Sequence, residues 1–162
     1  MKVLNLFLLI SFIYLTPYNI QCQTKEIKLV SASQLKARVA DTDTFFVVNF
    51  WATWCKPCVE ELPELEKFSV QNTKKPVKVI LVSLDFTEEL EKRVLSFVNE
   101  KKLTCEVLLL KDTNPNLFVP VIYPKWSGSI PATWIIQKKQ VMFLERKTTA
   151  EELEEIKSKM KD

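Results

Sequence analysis

The amino-acid sequence predicts an α/β domain in which strands alternate with helices. Residues 44–51 and 76–86 form apolar runs rich in β-branched and aromatic residues, which is typical of buried strands. Between these runs, apolar residues continue at helical spacing beyond Cys58. Strands that alternate with helices usually pair in parallel through right-handed crossovers. The sequence therefore predicts a sheet with buried central strands and helices packed on it.

Capping residues and apolar spacing define the other elements of the first half of the chain. Residues 26–30 are a short candidate strand, and Ser31 or Ser33 is a suitable N-cap for a helix that runs to residue 39. The helix after the cysteine pair should continue to about residue 70, and we expect Pro63 to kink it rather than end it. Thr87 is the predicted N-cap of the next helix.

The second half begins with a predicted strand at residues 105–110. A proline-bearing connection over residues 114–128 follows, and its aromatic and aliphatic content argues against disorder. Our hypothesis is that part of this connection, which contains Tyr123 and Trp126, lies beside the cysteine pair and influences partner choice; the alternative is a packed insertion without a chemical role. The last predicted elements are strands at 132–137 and 141–146 and a helix capped by Thr148 or Thr149.

The N-terminal residues have the pattern of a secretory signal. Lys2 is followed by a short apolar core, and this run is too short to cross a bilayer comfortably. We expect cleavage after Cys22, so that residues 23–162 form the mature domain. A retained anchor is one alternative. Another is that Cys22 becomes the acylated first residue of a lipoprotein, although Gln21 stands where such signals usually carry a small residue.

The charge balance argues against two classes of partner, and the length of the chain allows a buried core. The formal net charge is +3 over 162 residues, and lysines are interspersed with glutamates. This balance indicates an ordinary solvated surface and argues against a nucleic-acid partner or an anionic membrane patch. The chain is long enough to bury a core without a disulfide staple, which leaves its cysteines free for chemistry. We expect one domain that acts as a monomer.

Cys55 and Cys58 stand at the junction between the 44–51 strand and the next helix. A thiol at the start of a helix faces unpaired N–H groups and the positive end of the helix dipole, and both favour its thiolate. Cys58 lies one turn further on, so that the two sulfurs can close and reopen a small disulfide. Lys56 adds a positive charge, and Pro57 is tolerated in a first turn. Cys55 is therefore the expected nucleophile.

The stretch WATWCKPCVEELP, at residues 51–63, resembles the active site of the thioredoxin superfamily, in particular its extracytoplasmic TlpA-like and ResA-like branch. In that branch the W-C-x-P-C motif is followed by an acidic residue and a proline, here Glu61 and Pro63. The resemblance implies a thioredoxin fold, with a central mixed β-sheet flanked by α-helices. We expect this fold to carry an N-terminal extension and a loop insertion before a cis-proline.

Pro131 matches the x-P-[AT]-T pattern that thioredoxin-like folds place opposite the cysteine pair. The resemblance implies that the peptide bond between Ile130 and Pro131 is cis, and that the Ile130 backbone is presented to an extended substrate segment. Gly128, the single glycine of the chain, is expected in a turn with positive φ. The other predicted substrate contacts are Trp54, Lys56 and Pro57.

Glu61 is the predicted proton-handling residue. Thioredoxins carry a buried aspartate shortly before the motif, whereas this chain has Asn49, which neither takes nor gives a proton. Glu61, one turn beyond Cys58, is the nearest acid and matches the acidic residue of the TlpA-like branch. We expect it to adjust the acidity of the cysteines and to assist deprotonation of Cys58; the alternative is an exposed glutamate on the helix surface.

The resemblance and the cysteine chemistry together predict an exported thiol–disulfide oxidoreductase. Cys55 and Cys58 would form its redox-active disulfide and exchange with substrate proteins without an organic cofactor. A membrane thiol carrier would serve as electron donor or acceptor. The exported location together with the TlpA-like motif favours a reductase, and a disulfide-forming oxidase is the alternative direction.

Other functions fit the residues less well. A peroxiredoxin-type peroxidase would need a P-x-x-x-T-x-x-C pattern, which the residues before Cys55 lack. A metal site usually needs two ligands beyond a C-x-x-C pair, and because the chain has no histidine we predict no metal. A purely structural disulfide would restrain the unfolded chain little across so short a loop. Cys105 is expected to be buried and apolar, with regulatory pairing to Cys55 as the alternative.

Overall fold

A mixed β-sheet forms the centre of the protein. The strands are β1 (Lys28–Val30), β2 (Phe45–Trp51), β3 (Val77–Ser83), β4 (Glu106–Leu110), β5 (Ala132–Gln137) and β6 (Gln140–Leu144). In this computed structural model, which describes residues 26–40 and 43–160, the six strands lie in the order β1-β4-β3-β2-β5-β6. Strands β1 to β4 pair in parallel, whereas β5 pairs antiparallel with both β2 and β6. The predicted α/β class and the mixed sheet are therefore confirmed.

Helices cover both faces of this sheet. They are α1 (Ala32–Val39), α2 (Lys56–Gln71), α3 (Ser96–Glu100), α4 (Pro115–Ile122) and α5 (Ala150–Lys159). Helices α2, α3 and α5 pack on one face, where Leu65 and Phe68 of α2 are fully buried. Helices α1 and α4 cover the other face through residues such as Leu35 and Phe118. The sheet is thus a central layer between two layers of helices.

Strand β2 is buried along its whole length, as its composition predicted. It lies between β3 and β5, and its last residue, Trp51, pairs with Ser83, the last residue of β3. Because parallel strands end at the same edge of a sheet, the segments after Trp51 and Ser83 emerge side by side. The cysteine pair follows directly from this edge.

Most of the predicted helix signals are confirmed. Ser31 begins α1 with a capping box that includes Gln34. Helix α2 continues through Pro63 without ending there. Thr149 caps α5 by accepting a hydrogen bond from the Glu152 N–H at 3.2 Å.

The helix start predicted at Thr87 is wrong. Residues Thr87–Glu89 form a 3₁₀ turn, and Leu90–Leu95 form a π-helical turn that leads into α3. Phe86 occupies the N-cap position, and its carbonyl oxygen accepts the Glu89 N–H at 3.0 Å. The N-cap is therefore Phe86, one residue before the predicted Thr87, and Phe86 has no hydroxyl that could accept a capping hydrogen bond.

The connection predicted over residues 114–128 contains helix α4. Asn114 caps this helix by accepting a hydrogen bond from the Asn116 N–H, and Pro115 lies in the first turn. Both positions favour helix initiation, because a first-turn proline loses no hydrogen bond. The expected insertion before Pro131 is present, but it is partly helical rather than one long loop.

Tyr123 and Trp126 of this insertion pack against the sheet. Trp126 is buried, with its ring centroid 4.7 Å from that of Phe50, and its indole N–H donates to the Ser129 carbonyl oxygen at 2.9 Å. Tyr123 stacks on Phe143 with the ring centroids 4.7 Å apart. These contacts join the insertion to β2 and β6, so the two aromatic residues hold it in place.

The predicted signal sequence, residues 1–22, lies outside the described residues. Cys22 and the expected domain boundary at residue 23 lie outside them as well. Within the described ranges, no helix combines the length and the apolar character that a bilayer span requires.

Replacing Trp126 with alanine should destabilise the fold. This side chain contacts the rings of Phe50, Phe118 and Phe143, and its truncation would leave a large cavity. We expect the free energy of unfolding, measured by urea denaturation, to fall by about 3–5 kcal/mol. Leu117→Ala, at an exposed position of α4, is the control and should change it by less than about 0.5 kcal/mol. Unchanged stability in Trp126→Ala would contradict the packing role.

Candidate active site

The turn after β2 positions the cysteine pair. The chain reverses over residues 52–55, so that the Cys55 N–H donates to the Ala52 carbonyl oxygen at 3.1 Å. Cys55 then takes the N-cap position of α2, and Lys56 and Pro57 lie in the first turn. Pro57 costs α2 no hydrogen bond there, since first-turn N–H groups have no partner within a helix.

Cys55 and Cys58 are joined by a disulfide bond, with their Cα atoms 5.3 Å apart. Both side chains are buried. The Cys55 Sγ also accepts a hydrogen bond from the Cys58 N–H at 3.3 Å, which satisfies one of the free donors at the helix start. When the disulfide is open, this N–H and the helix dipole favour a thiolate at Cys55.

The peptide bond between Ile130 and Pro131 is cis, as the motif predicted. The Ile130 carbonyl oxygen lies 3.9 Å from the Cys55 Sγ, so the backbone before Pro131 faces the pair. Gly128, which precedes this segment, has a φ of +89°, the left-handed conformation expected of the single glycine. The structure therefore brings Ile130 and Pro131 to Cys55 and Cys58.

Glu61 is buried, so the alternative of an exposed surface glutamate is wrong. Its Oε1 accepts hydrogen bonds from the Thr148 N–H at 2.7 Å and from the Thr148 hydroxyl at 2.6 Å. Its Oε2 accepts one from the Asn49 side-chain amide at 3.2 Å. These donors belong to β2 and to the segment before α5, so the carboxyl group connects distant parts of the chain.

Burial raises the pKa of Glu61 above its usual 4.5, because the ionised carboxylate loses contact with water. Hydrogen bonds from Thr148 and Asn49 and the charge of Lys147 favour the ionised form and oppose this shift. The adjacent Glu60 is exposed and pairs with Lys147 at 3.0 Å, which lowers the pKa of Glu60. Of these two neighbouring acids, only Glu61 has a pKa that is shifted upwards, towards neutral pH.

Asn49 links Glu61 to strand β5. It is fully buried, and its side-chain amide also donates to the Thr133 hydroxyl oxygen at 3.0 Å. Within the part of the chain that the structure describes, its Oδ1 has no hydrogen-bond partner. Asn49 therefore orients Glu61 as a donor but cannot itself carry a proton, as the sequence indicated.

A second buried acid, Asp85, lies at the same edge of the sheet and was not among the predicted site residues. Its Oδ1 accepts a hydrogen bond from the Thr53 hydroxyl at 2.6 Å. Its Oδ2 accepts from the Thr53 N–H at 3.0 Å and from the Ser83 hydroxyl at 2.7 Å. The signal that could have found Asp85 is its position just past a buried strand that pairs in parallel with the motif strand.

Exposed side chains flank the pair on its solvent side. Lys56 and Pro57 are exposed, and Trp54 retains 60% of its surface. Beside Trp54 opens a cavity of about 210 Å³, whose walls include Phe86 and Ile130. The predicted substrate contacts are therefore all accessible or at the edge of this cavity.

The insertion contributes to the same cavity through Pro115, Phe118 and Gly128. Part of the 114–128 segment therefore lies beside the residues that flank the pair, as our hypothesis expected. Tyr123 and Trp126 are not among the residues that line the cavity. These two side chains pack against Phe50 and Phe143 instead, so the segment reaches the site through other residues.

Cys105 is buried in the same apolar cluster as the disulfide. Its backbone N–H donates to Glu66 Oε1 at 2.9 Å, which ties the segment before β4 to α2. Glu66 also accepts the Thr104 N–H at 2.9 Å. Over residues 26–40 and 43–160, no cluster of three or more His, Cys, Asp or Glu side chains could hold a metal ion.

Comparison with known proteins identifies relatives of this chain. The model of the AhpC/TSA family matches residues 18–143. Thioredoxin-like protein YneN of Bacillus subtilis is 33% identical over 122 residues, which cover 74% of this chain and 66% of that protein. Thiol-disulfide oxidoreductase ResA of Bacillus cereus is 32% identical over 109 residues, which cover 66% of this chain and 58% of ResA. The chain spans less than two thirds of the length of both relatives.

The fold is shared with solved structures. The crystal structure of a thioredoxin-related protein from Neisseria meningitidis serogroup B superimposes with a TM-score of 0.63 at 20% identity. The superposition covers 75% of this chain and 88% of that chain. At this identity the likeness concerns the fold alone, and it confirms the predicted thioredoxin fold.

The raised pKa of Glu61 predicts a pH-dependent contribution to stability. Because the folded state binds this proton more tightly, the contribution is fully present below the unfolded pKa and is lost as the pH rises through the folded pKa. Glu61→Gln removes the titration and keeps a side chain of similar size. Its free energy of unfolding, relative to that of the unmodified protein, should therefore rise with pH from about 4.5 upwards in urea denaturation.

Glu60→Gln is the matched control at the neighbouring position. The pKa of Glu60 is lowered in the folded state, so its small contribution is present above the unfolded pKa and lost as the pH falls. The relative stability of this variant should therefore fall slightly with rising pH, with the opposite sign. The same slope in both variants would show that burial does not control the titration of Glu61.

Proposed function

The chain belongs to the AhpC/TSA family, and we propose that it is a thiol–disulfide oxidoreductase that exchanges disulfides with substrate proteins through Cys55 and Cys58. One observation carries the proposal: the two cysteines form a disulfide at the start of α2, beside the Ile130 carbonyl group. The names of YneN and ResA are consistent with this activity.

In the reducing direction the reaction has two steps. The Cys55 thiolate attacks one sulfur of a substrate disulfide and forms a mixed disulfide, while the other substrate sulfur leaves as a thiolate. The Cys58 thiolate then attacks the Cys55 Sγ, closes the Cys55–Cys58 disulfide and releases the second substrate thiolate. Two electrons pass to the substrate, whose thiolates take up two protons. The same steps in reverse oxidise a substrate dithiol.

The two cysteines differ in what stabilises their charge. Cys55 has the helix dipole and the Cys58 N–H to hold a thiolate, which suits the attacking group. Cys58 is fully buried and lies further inside α2, so its thiol needs a base before it can resolve the mixed disulfide. We propose Glu61 as that base, because it lies one turn further along α2 and exchanges its proton closer to neutral pH.

Substrate segments would lie along the backbone before Pro131. The Ile130 carbonyl group beside Cys55 can pair with an extended chain, as in strand addition. The exposed side chains around it, Trp54, Lys56 and Pro57, would contact the residues next to the substrate cysteine. No cofactor takes part in these steps, since both reacting groups are sulfur atoms of the two proteins.

We propose the reductase direction for an exported protein. The charged start and apolar core of residues 1–22 support export, and the similarity of the motif to the TlpA-like branch supports reduction. A membrane thiol carrier would then return electrons to the Cys55–Cys58 pair. Disulfide formation is the alternative direction, and lipid attachment through Cys22 is the alternative to simple release.

A redox titration of the purified protein tests this function. In dithiothreitol or glutathione buffers, the fluorescence of Trp51 and Trp54 should report one reversible two-electron transition. A midpoint nearer to about −270 mV supports the reductase, and one nearer to about −120 mV supports the oxidase. The absence of any reversible transition would overturn the proposal.

Trapping of a mixed disulfide checks the roles of the two cysteines. Cys58→Ser should accumulate a covalent complex through Cys55 with a disulfide-bonded protein such as insulin, because the resolving thiol is gone. Cys55→Ser should form none. Cys105→Ser, which alters only the buried cysteine outside the pair, is the control and should turn over normally.

Glu61→Gln should slow the exchange reaction and change its pH profile. Without the carboxylate, Cys58 loses its proton acceptor, and we expect insulin reduction near neutral pH to fall roughly a hundredfold or more. The loss should shrink at alkaline pH, where hydroxide replaces the base. Glu60→Gln should leave the profile unchanged, and an unmoved profile in Glu61→Gln would remove Glu61 from the mechanism.

A further inference from the structure

Asp85 extends the pairing of β2 and β3 beyond the ends of both strands. The last register pair is Trp51 with Ser83, and the Leu84 N–H still donates to the Trp51 carbonyl oxygen at 2.8 Å. One residue further along, the Asp85 carboxylate takes over as the acceptor, for the Thr53 N–H at 3.0 Å. A side chain therefore holds the first turn after β2 against the end of β3.

The groups that hold Asp85 are neutral. Its side chain is buried, and its oxygens accept the Thr53 N–H and hydroxyl and the Ser83 hydroxyl. Among the described residues, no lysine or arginine forms a salt bridge with it. A buried carboxylate is costly unless donors satisfy its oxygens, and here three donors in fixed positions do so. Such a network permits little movement of Thr53.

Thr53 lies inside the turn that presents Cys55. The Cys55 N–H closes this turn on the Ala52 carbonyl oxygen at 3.1 Å. The Cys55 Sγ then lies 3.3 Å from the Cys58 nitrogen and 3.9 Å from the Ile130 oxygen. Only Trp54 stands between Thr53 and Cys55 in the chain. Both distances therefore depend on the direction in which the backbone leaves Thr53.

We propose that Asp85 is a positioning residue for the cysteine pair: by holding the backbone and the hydroxyl of Thr53, it fixes the turn that places the Cys55 sulfur against the Cys58 N–H and beside Ile130. This inference deepens the proposed function and rests on it in one respect, namely that Cys55 is the attacking thiol. Asp85 touches neither sulfur atom in this role and acts through Thr53.

Position and charge make opposite predictions for Asp85→Asn. If Asp85 acts by position, its loss weakens the hydrogen bond from the Cys58 N–H, and the Cys55 thiolate forms at higher pH. If its negative charge acts through space, the loss of that charge lets the thiolate form at lower pH. The direction of the change therefore separates the two roles.

Alkylation of the reduced full-length protein measures this direction. Iodoacetamide is applied over a range of pH, and mass spectrometry follows the modification of Cys55 by its peptide. We expect Asp85→Asn to move the midpoint of the Cys55 profile to higher pH and to slow alkylation at neutral pH roughly two- to tenfold. Thr53→Val, which keeps the Asp85 charge but loses the Thr53 hydroxyl, should move the midpoint in the same direction. Thr53→Ser, which keeps a hydroxyl, should leave the midpoint near that of the unmodified protein.

The double variant tests whether the two residues act as one unit. Asp85→Asn combined with Thr53→Val should shift the profile no further than the larger single change, because both remove the same restraint. Additive shifts would overturn the proposal. If Asp85→Asn does not fold, Thr53→Val and Thr53→Ser alone still test it, and an unmoved profile in Thr53→Val would overturn it.

Glu66→Gln is the matched control. Glu66 accepts the N–H and the hydroxyl of Thr104 much as Asp85 accepts those of Thr53, but at a distance from the motif turn. It should lower stability without moving the Cys55 profile. A lower midpoint in Asp85→Asn, or a loss of stability there with an unmoved profile, would overturn the positioning role. Alkylation needs no protein substrate, so a failed exchange assay would reject the proposed function and leave this test intact.

Discussion

The parallel pairing of β2 with β3 is the constraint on which the site depends. Since both strands end at one edge of the sheet, with Trp51 opposite Ser83, the two segments that follow them must share the same small volume. One of these segments carries the cysteines, and the other carries Asp85. The two segments meet through the hydrogen bonds that Thr53 donates to the Asp85 carboxylate.

Two buried acids, Asp85 and Glu61, lie near the cysteine pair, and they differ in which residues donate hydrogen bonds to them. Both oxygens of Asp85 accept hydrogen bonds from Thr53, in the motif turn, or from Ser83, at the end of β3. Glu61 is held instead by Thr148 and Asn49, which are far apart in the sequence, and its burial raises its pKa. The two acids therefore differ in what holds them: groups next to the motif turn hold Asp85, whereas groups from distant parts of the chain hold Glu61.

The sequence was sufficient for the elements whose signals are local. The run of apolar residues in β2, the cap at Ser31 and the cysteines at the start of α2 each depend on neighbours within a few positions. Helix α4 was missed because prolines suggest a loop, although Pro115 occupies a position where proline favours a helix.

The contacts that hold the site together depend on long-range pairing. Glu61 was identified from the motif, but its donor Thr148 lies 87 positions away, and no local pattern relates the two. Asp85 resembles an ordinary turn residue until β3 is known to lie beside β2 in parallel. The burial of Trp126 likewise depends on Phe143, which belongs to a strand formed later in the chain. Sequence patterns find the reacting atoms, whereas the groups that orient them require the topology.

The hydrogen bonds between Thr148 and Glu61 have a consequence for the order in which the site is assembled during folding. A nascent chain that has emerged as far as Asp85 already contains both cysteines, but it still lacks Thr148, the donor that holds Glu61. Because domains generally fold as units, Glu61 acquires its hydrogen bonds from Thr148 only once the segment before α5 has joined the fold. A chain that is truncated before Thr148 therefore carries both cysteines without these hydrogen bonds on Glu61.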